Sequence, residues 1–330
     1  MDHPTSGHQP TRPDPDGPAT MRAVVQDRYG SLDVLTPAVI DRPEPGEHDV
    51  LLRVHAAGLD RGTWHLMTGK PYLMRVLGFG LRRPKNRVPG RDVAGTVAAV
   101  GPAVTRFSVG DEVYGVARGS YAEYAAAHED KLARKPANVS FEQAAVVPVS
   151  GLIAQRGLVD VGRLQRGQKV LITGASGGVG SYAVQIAKAL GAKVTAVSSS
   201  SKADLVRSLG ADHVIDYARE DFADGRRHYD LILDIAGNPS LARLRRALTP
   251  HGTAVLLGGE QGGGRITGGF GRTLRAPLLS PFVSQRLTTV AANENGRDLE
   301  RLTALIEAGQ VTPHVDRTFL LDDVAEAMTR

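Results

Sequence analysis

The sequence predicts an α/β protein built on a doubly wound parallel sheet, with a smaller all-β domain ahead of it. Three observations carry this. Gln168 to Lys188, QKVLITGASGGVGSYAVQIAK, reads as a buried strand, a glycine-rich turn and a helix in immediate succession. From about Pro148 onward such strand and helix patterns alternate, the texture of parallel strands joined by helical crossovers. Before Val147 the pattern is one of short strands separated by Gly/Pro turns, as in a partly open β-barrel.

In chain order, residues 1–20 carry five prolines, little apolar content and no periodicity, and are expected to form a disordered extension outside the fold. Met21 to Gln26 is the first credible strand. Val50 to Ala56, Asp92 to Val100, Glu112 to Tyr114 and Tyr121 to Ala127 follow, so the first domain covers 21–147. Strands at 169–173, 193–197, 212–215, 230–235, 253–258 and 287–291 alternate with helices near 178–191, 201–209 and 239–247, which places a second domain at 148–292. Arg297 to Gly309 has the period of an amphipathic helix. Thr312 to Phe319 reads as an extended return strand, and 293–330 is expected to pack back onto the first domain and complete it.

The glycine turn points to a ligand. Val170, Leu171, Ile172 and Thr173 form a short, mostly β-branched run that ends on Gly174, and Val179, Ala183, Ile186 and Ala187 recur at helical spacing. Glycine at 174, 177 and 180 permits positive φ and lets the backbone approach a ligand closely. The N–H groups of Gly178 and Val179 would face an anion, helped by the positive end of the helix dipole. Gly174, Ser176, Gly177, Gly178, Val179 and Gly180 are therefore assigned to the pyrophosphate of a dinucleotide. The spacing is looser than GxGxxG, but the strand before it and the helix after it are both present.

The second strand selects the cofactor. In NAD-preferring sites an Asp or Glu near its end holds the ribose hydroxyls; here it ends in Ser198, Ser199, Ser200, Ser201 and Lys202. Hydroxyls and an ammonium suit a 2′-phosphate, which a carboxylate would repel, so NADP(H) is expected. Lys202 is either a phosphate ligand or a solvated first-turn lysine. Tyr217 lies beside the phosphate or the adenine edge, or covers the sheet edge as a loop aromatic. The other strand ends nominate Ala236, Gly237 and Gly258. Asp234 and Asn238 either bond a ribose or shape a turn.

Composition narrows the function classes. The chain has 330 residues, no cysteine and a net charge of +5. Disulfides, thiolate metal sites and a cysteine nucleophile are excluded. Without a long apolar run or a secretory h-region, no membrane association is expected and a cytoplasmic location is. The basic residues are scattered apart from Arg75, Arg82, Arg83, Lys85, Arg87 and Arg91, and no aromatic platform accompanies that cluster, which argues against nucleic acid.

In order along the chain stand Pro89-Gly90-Arg91-Asp92-Val93-Ala94-Gly95, Val109-Gly110-Asp111-Glu112-Val113-Tyr114-Gly115, Gly119-Ser120-Tyr121-Ala122-Glu123-Tyr124, the Gly174–Gly180 turn and Gly210-Ala211-Asp212-His213. This series resembles the medium-chain dehydrogenase/reductase superfamily in its zinc-free quinone oxidoreductase-like branch, from Met21 to Arg330. The resemblance implies a GroES-like catalytic barrel and a Rossmann domain, NADPH in the cleft between them, and a homodimer. It also implies that Lys202 and Tyr217 lie around the 2′-phosphate. Zinc ligands of the superfamily correspond to Asp60, Arg91 and Val149; a guanidinium cannot ligate zinc and valine has no donor atom, so no metal is expected.

Without a metal to ionise an alcohol, reduction of a conjugated acceptor is the less demanding chemistry: hydride adds to a quinone or an enone, and hydrogen bonds stabilise the resulting oxyanion. The expected activity is thus a zinc-independent, NADPH-dependent reductase of a small quinone or α,β-unsaturated carbonyl. The alternatives are a tailoring enoyl or ketone reductase of secondary metabolism and a non-catalytic NADPH-binding sensor or scaffold. Asp60 and Tyr72 are the candidate catalytic acids. Asp60 is instead structural if it pairs with Arg61 or Arg91, and Tyr72 if it merely caps a loop. Trp64 and Tyr121 are the candidate pocket walls, although Tyr121 also fits a barrel-packing role. Ile153-Ala154 stands where relatives carry Thr-Ala, which removes a hydroxyl expected near the nicotinamide ribose. Relatives also carry a Gly-Lys-Val-Val strand after the helix at Glu326-Ala327-Met328, so either the chain is shortened or its first domain lacks one closing strand.

Overall fold

The computed structural model describes residues 19–237, 239–258, 270–290 and 294–329. Apart from positions 19 and 20, the expected extension lies outside the described residues, as does Asn238.

The N-terminal part contains β1 (Thr20–Val25), β2 (Thr36–Asp41), β3 (Asp49–Ala57), the helices α1 (Arg61–Thr68) and α2 (Tyr72–Met74), then β4 (Asp92–Val100), β5 (Glu112–Val116), β6 (Tyr124–His128) and β7 (Leu132–Arg134). β3 to β7 form an antiparallel sheet in the order β6-β3-β4-β5-β7, while β1 and β2 form a separate hairpin. Val50, Leu52, Val93, Val97 and Val113 are buried in one cluster between the strands, each contributing about 1.5–3 kcal/mol relative to exposure. The expected strand at Tyr121–Ala127 starts later, because its first residues cross to the hairpin. Ala122 bridges Ala23, and the Val24 N–H donates to the Tyr121 carbonyl at 2.9 Å. β2 escapes sequence reading because Pro37 interrupts it and Val39 points to solvent.

The short α3 (Phe141–Ala145), with a Ser140/Gln143 capping box, and α4 (Pro148–Arg156) lead into the second sheet. There β8 (Lys169–Thr173), β9 (Lys193–Ser198), β10 (His213–Asp216), β11 (Tyr229–Asp234), β12 (Leu248–Leu256) and β13 (Arg286–Thr289) run parallel in the order β10-β9-β8-β11-β12-β13. The order reverses between β8 and β11, so the crevice for a ligand lies at the carboxyl ends of these two strands. The helices α5 (Gly178–Ala189), α6 (Ala203–Ser208), α7 (Leu241–Ala247) and α8 (Phe270–Leu279) accompany the sheet. α8 was not expected: Pro277 inside it disrupts the helical signal. No helix among the described residues is long and apolar enough to cross a membrane.

The C-terminal segment contains α9 (Gly296–Glu307) and α10 (Val324–Ala327). Leu299, Leu302 and Ile306 of α9 are buried in the main cluster with Tyr114 of β5, whose hydroxyl donates to the Leu299 carbonyl at 2.9 Å. Tyr114→Phe removes this bond and should lower unfolding free energy by about 1 kcal/mol in a denaturant titration; an unchanged midpoint would show that the bond holds nothing. The expected return strand at Thr312–Phe319 is corrected: those residues pair with no strand. The side chain of Gln185 on α5 takes the partner's place, accepting from the Thr312 N–H at 2.8 Å and donating to its carbonyl at 3.2 Å. Pro313 has no N–H with which to extend a ladder.

Candidate active site

Gly174 opens the turn after β8 at φ 65°, in the left-handed region. Gly177 is the N-cap of α5 and supplies no side-chain cap. The first intrahelical bond of α5 runs from the Ser181 N–H to the Gly177 carbonyl at 2.9 Å. The N–H groups of Gly178, Val179 and Gly180 therefore have no intrahelical acceptor, and Gly177 and Gly178 are exposed. A β-carbon at Gly180 would overlap the Gly174 carbonyl oxygen and lie 2.7 Å from the Ala175 Cα, so the turn closes only around glycine. Uncapped donors on a twelve-residue helix at the switch point fit an anion, and the chemistry of the donor set fits a diphosphate.

The neighbouring strand ends form a continuous rim. The Ala175 N–H donates to the Val197 carbonyl at 3.2 Å, joining the turn to β9. A β-carbon at Gly174 would sit 3.2 Å from the Ala236 nitrogen, and one at Gly258 would overlap the Ile235 carbonyl oxygen and lie 3.0 Å from the Gly237 nitrogen. Backbone thus packs on backbone across β9, β8, β11 and β12. Asp234 is wholly buried beneath this rim, accepting from Thr173 Oγ1 at 2.7 Å and from the Gly237 N–H at 3.3 Å. Its role is to shape the turn.

At the other end, Ser198 is buried, Ser199 Oγ meets Ser201 Oγ at 3.0 Å, and Tyr217 is 66% exposed with its N–H on the Ser198 carbonyl. Lys202 stands at the start of α6 and lines a cleft of about 1200 Å³ together with Ser176, Gly177 and Gly178. One neighbour was not foreseen: Ser200 Oγ donates to Asp216 Oδ2 at 2.7 Å. That bond, followed by the Ala218 N–H, holds the Asp216 carboxyl below its ordinary range. An acid is absent from the end of β9 but present at the end of β10, one strand over.

Asp92, Ser120 and Tyr121 of the antiparallel part line the same cleft. Asp92 is buried and accepts from the Val149 N–H at 2.9 Å. Burial, and after it the charge of Asp60, raises its carboxyl well above the usual carboxylate range. Arg91 pairs with Glu294. Burial works against the Glu294 anion, but Arg91 holds its carboxyl below the ordinary value. Because folding raises the pKa of Asp92, the stabilising proton is present at low pH and lost as pH rises through the folded value. Asp92→Asn keeps an acceptor for Val149 and cannot ionise. Its melting temperature should gain on wild type as pH rises above the ordinary carboxylate value of 3.8; a difference that stays constant with pH would contradict the assignment.

The other nominated residues divide: Tyr121 reaches the cleft, whereas Asp60, Trp64 and Tyr72 are not among the residues that line it. Asp60 is the N-cap of α1, with Thr63 N–H on Oδ1 at 3.1 Å and Thr63 Oγ1 on Oδ2 at 2.9 Å. Trp64 lines a separate cavity of about 310 Å³ with Tyr29, Lys70 and Arg75. Tyr72 lines neither cavity; it is 39% exposed and its ring lies 4.7 Å from the Arg75 guanidinium. Tyr121 reaches the cleft but is buried, with its hydroxyl 3.3 Å from the Gly58 carbonyl oxygen; burial, then Asp60, pushes the phenol up. The capping role of Asp60 was visible in principle, since Asp60-Arg61-Gly62-Thr63 is an N-cap followed by a third-position hydroxyl.

A glycine-lined helix N-terminus at the switch point of a six-stranded parallel sheet, beside an antiparallel unit that shares its cleft, is the arrangement of a pyridine-nucleotide-dependent oxidoreductase, and the comparisons with known proteins bear that class out. Residues 46–137 match the family model for the alcohol dehydrogenase GroES-like domain, and 209–330 that for the zinc-binding dehydrogenase. The chain is 34% identical to the 2-methylene-furan-3-one reductase of Solanum lycopersicum over 94% of its own length and 76% of the relative's. It is 36% identical to the chloroplastic NADPH-dependent alkenal/one oxidoreductase of Arabidopsis thaliana over 91% of its length and 72% of the relative's. The quinone oxidoreductase structure from Coxiella burnetii superposes with a TM-score of 0.82 at 26% identity, covering 94% of this chain and 95% of that one. The protein belongs to the medium-chain dehydrogenase/reductase superfamily, in its zinc-free quinone oxidoreductase-like branch.

Proposed function

We propose that this chain is an NADPH-dependent reductase of small quinones or α,β-unsaturated carbonyls. The observation that carries the reading is the uncapped N-terminus of α5 and Lys202 in one cleft, which the buried acid Asp92 of the antiparallel unit also lines. The names of the plant relatives support the acceptor class and, in one case, the phosphorylated cofactor. We also propose the division into a barrel unit at 21–147, completed by 293–330, and a cofactor unit at 148–292, in a cytoplasmic homodimer.

NADPH, when bound, supplies the hydride. The chain's own residues do the rest. The first-turn N–H groups of α5 hold the diphosphate, while Lys202 and Ser199 offer an ammonium and a hydroxyl to the 2′-phosphate. Tyr121 and the strand backbone around it wall off water on the acceptor side. Of the acids nominated or found, Asp92 both lines the cleft and keeps its proton to higher pH than an ordinary carboxyl, so it is the best placed to return a proton. In this reading Asp60 fixes the start of α1, and Tyr72 is the stacking partner of Arg75.

The test is consumption of NADPH against a panel of 1,4-quinones and short enones, with NADH in parallel. Turnover with at least one acceptor, faster with NADPH, is expected. Tight binding of NADPH with no acceptor reduced would favour the sensor reading instead.

A further inference from the structure

Arg272 lies in the first turn of α8, and its side chain is 14% exposed. Its guanidinium reaches three groups that belong to two different strand ends. Nη1 is 2.5 Å from Asp234 Oδ2 and donates to the Pro239 carbonyl at 2.6 Å; Nη2 donates to the Gly258 carbonyl at 3.0 Å. Asp234 in turn anchors both turns: its Oδ1 accepts from Gly237, and its own carbonyl accepts from the N–H groups of Leu257 at 2.9 Å and Gly258 at 3.1 Å. Thr173 Oγ1, which donates to Asp234, accepts from the Ile235 and Ala236 N–H groups at 3.0 and 3.2 Å.

The network therefore ties together the end of β8 and the turns after β11 and β12. Among the described residues of the network, only Arg272 comes from outside the strands and their turns, and only Arg272 spans the β11 and β12 turns with side-chain donors. A guanidinium suits this position because its planar fork can direct donors to two carbonyls while its charge pairs with a carboxylate, which an ammonium on a flexible stem cannot fix in the same geometry. The turns it joins lie on the β11–β12 side of the glycine turn, whereas Ser198, Lys202 and Tyr217 lie on the β9–β10 side.

We propose that Arg272 is a positioning residue, a clamp that sets the spacing of the chain after β11 and after β12 and thereby the placement of the nicotinamide half of the cofactor, leaving the adenosine half untouched. The proposal rests on the reading of the cleft as an NADPH site. Small misplacements of a reacting group cost rate steeply, up to about a hundredfold for an error near 1 Å. The clamp should therefore act on the nicotinamide half and on turnover.

The experiment is calorimetric titration of wild type, Arg272→Met and Arg272→Lys with NADPH and with 2′,5′-ADP, which lacks the nicotinamide, alongside kcat for a quinone. For both variants the affinity for 2′,5′-ADP should stay within about twofold of wild type, while NADPH binding weakens and kcat falls by at least about tenfold each. Arg272→Lys keeps a cation beside Asp234, so it guards against an Arg272→Met chain that does not fold. Equal weakening of both ligands would show a general structural role and overturn the proposal. Unchanged NADPH affinity and kcat in Arg272→Lys would overturn it as well. Failure of wild type to bind either ligand would instead remove the NADPH reading beneath it.

Discussion

Gly177→Asp should abolish dinucleotide binding while leaving the fold as stable as wild type or slightly more so. The two effects separate because they depend on different properties of one position. Gly177 has φ −83° and ψ 176°, which any residue adopts, and a β-carbon there would meet only the Gly174 carbonyl oxygen at 3.5 Å, an ordinary contact. An aspartate at an N-cap accepts from a first-turn N–H and complements the helix dipole, each worth a few tenths to about 1 kcal/mol. That same carboxylate would occupy the donors and place its charge where the diphosphate belongs. The loss should exceed about a hundredfold in Kd, or about 2.7 kcal/mol. If the helix terminus is merely a glycine-rich turn, the variant will bind NADPH like wild type.

Lys202→Glu should weaken NADPH by at least about tenfold and leave NADH almost unchanged, since a charge reversal acts on the 2′-phosphate and on nothing NADH carries. Asp216→Asn should act in the opposite direction. Its carboxylate is 2.7 Å from Ser200 and takes up a hydroxyl that the phosphate would otherwise claim. Removing the charge is expected to strengthen NADPH and to weaken any residual NADH binding. Parallel titrations of the two nucleotides with both variants decide the matter; equal effects on NADH and NADPH would show that neither residue reads the phosphate. On the proposed reading, the cofactor preference is a contest between Lys202 at the start of α6 and Asp216 at the end of β10.

That contest marks the boundary of what could be read in advance. Strand β4 stands at the expected Asp92–Val100, and β8 and the start of α5 lie where the apolar runs and glycines put them, because local periodicity and backbone permissiveness decide those features. Lys202 was legible for the same reason, as a cation just past a strand end. Asp216 was not, because its partner Ser200 belongs to the preceding strand–helix turn and only the pairing of β9 with β10 brings them together. The Arg272 clamp was hidden likewise, since it depends on where α8 docks. Tyr72 looked like an acid because a phenol after Lys70-Pro71 has the right chemistry; the short helical turn that sets its ring on Arg75, three residues on, carries no clear periodic signal. Thr312–Phe319 looked like a strand because short-range pattern alone does not show what its backbone pairs with, and the partner that satisfies Thr312 is a glutamine side chain.

The central claim is that hydride passes from NADPH to a conjugated acceptor in this cleft. NADPH carrying deuterium at C4, on each face in turn, should be reacted with a short enone in ordinary water and the product examined by NMR. Deuterium at the β-carbon from one face only, with hydrogen from solvent at the α-carbon, is the predicted result. No saturated carbonyl from any enone and no hydroquinone from any quinone, or an enone product without deuterium at the β-carbon from either face, would contradict it.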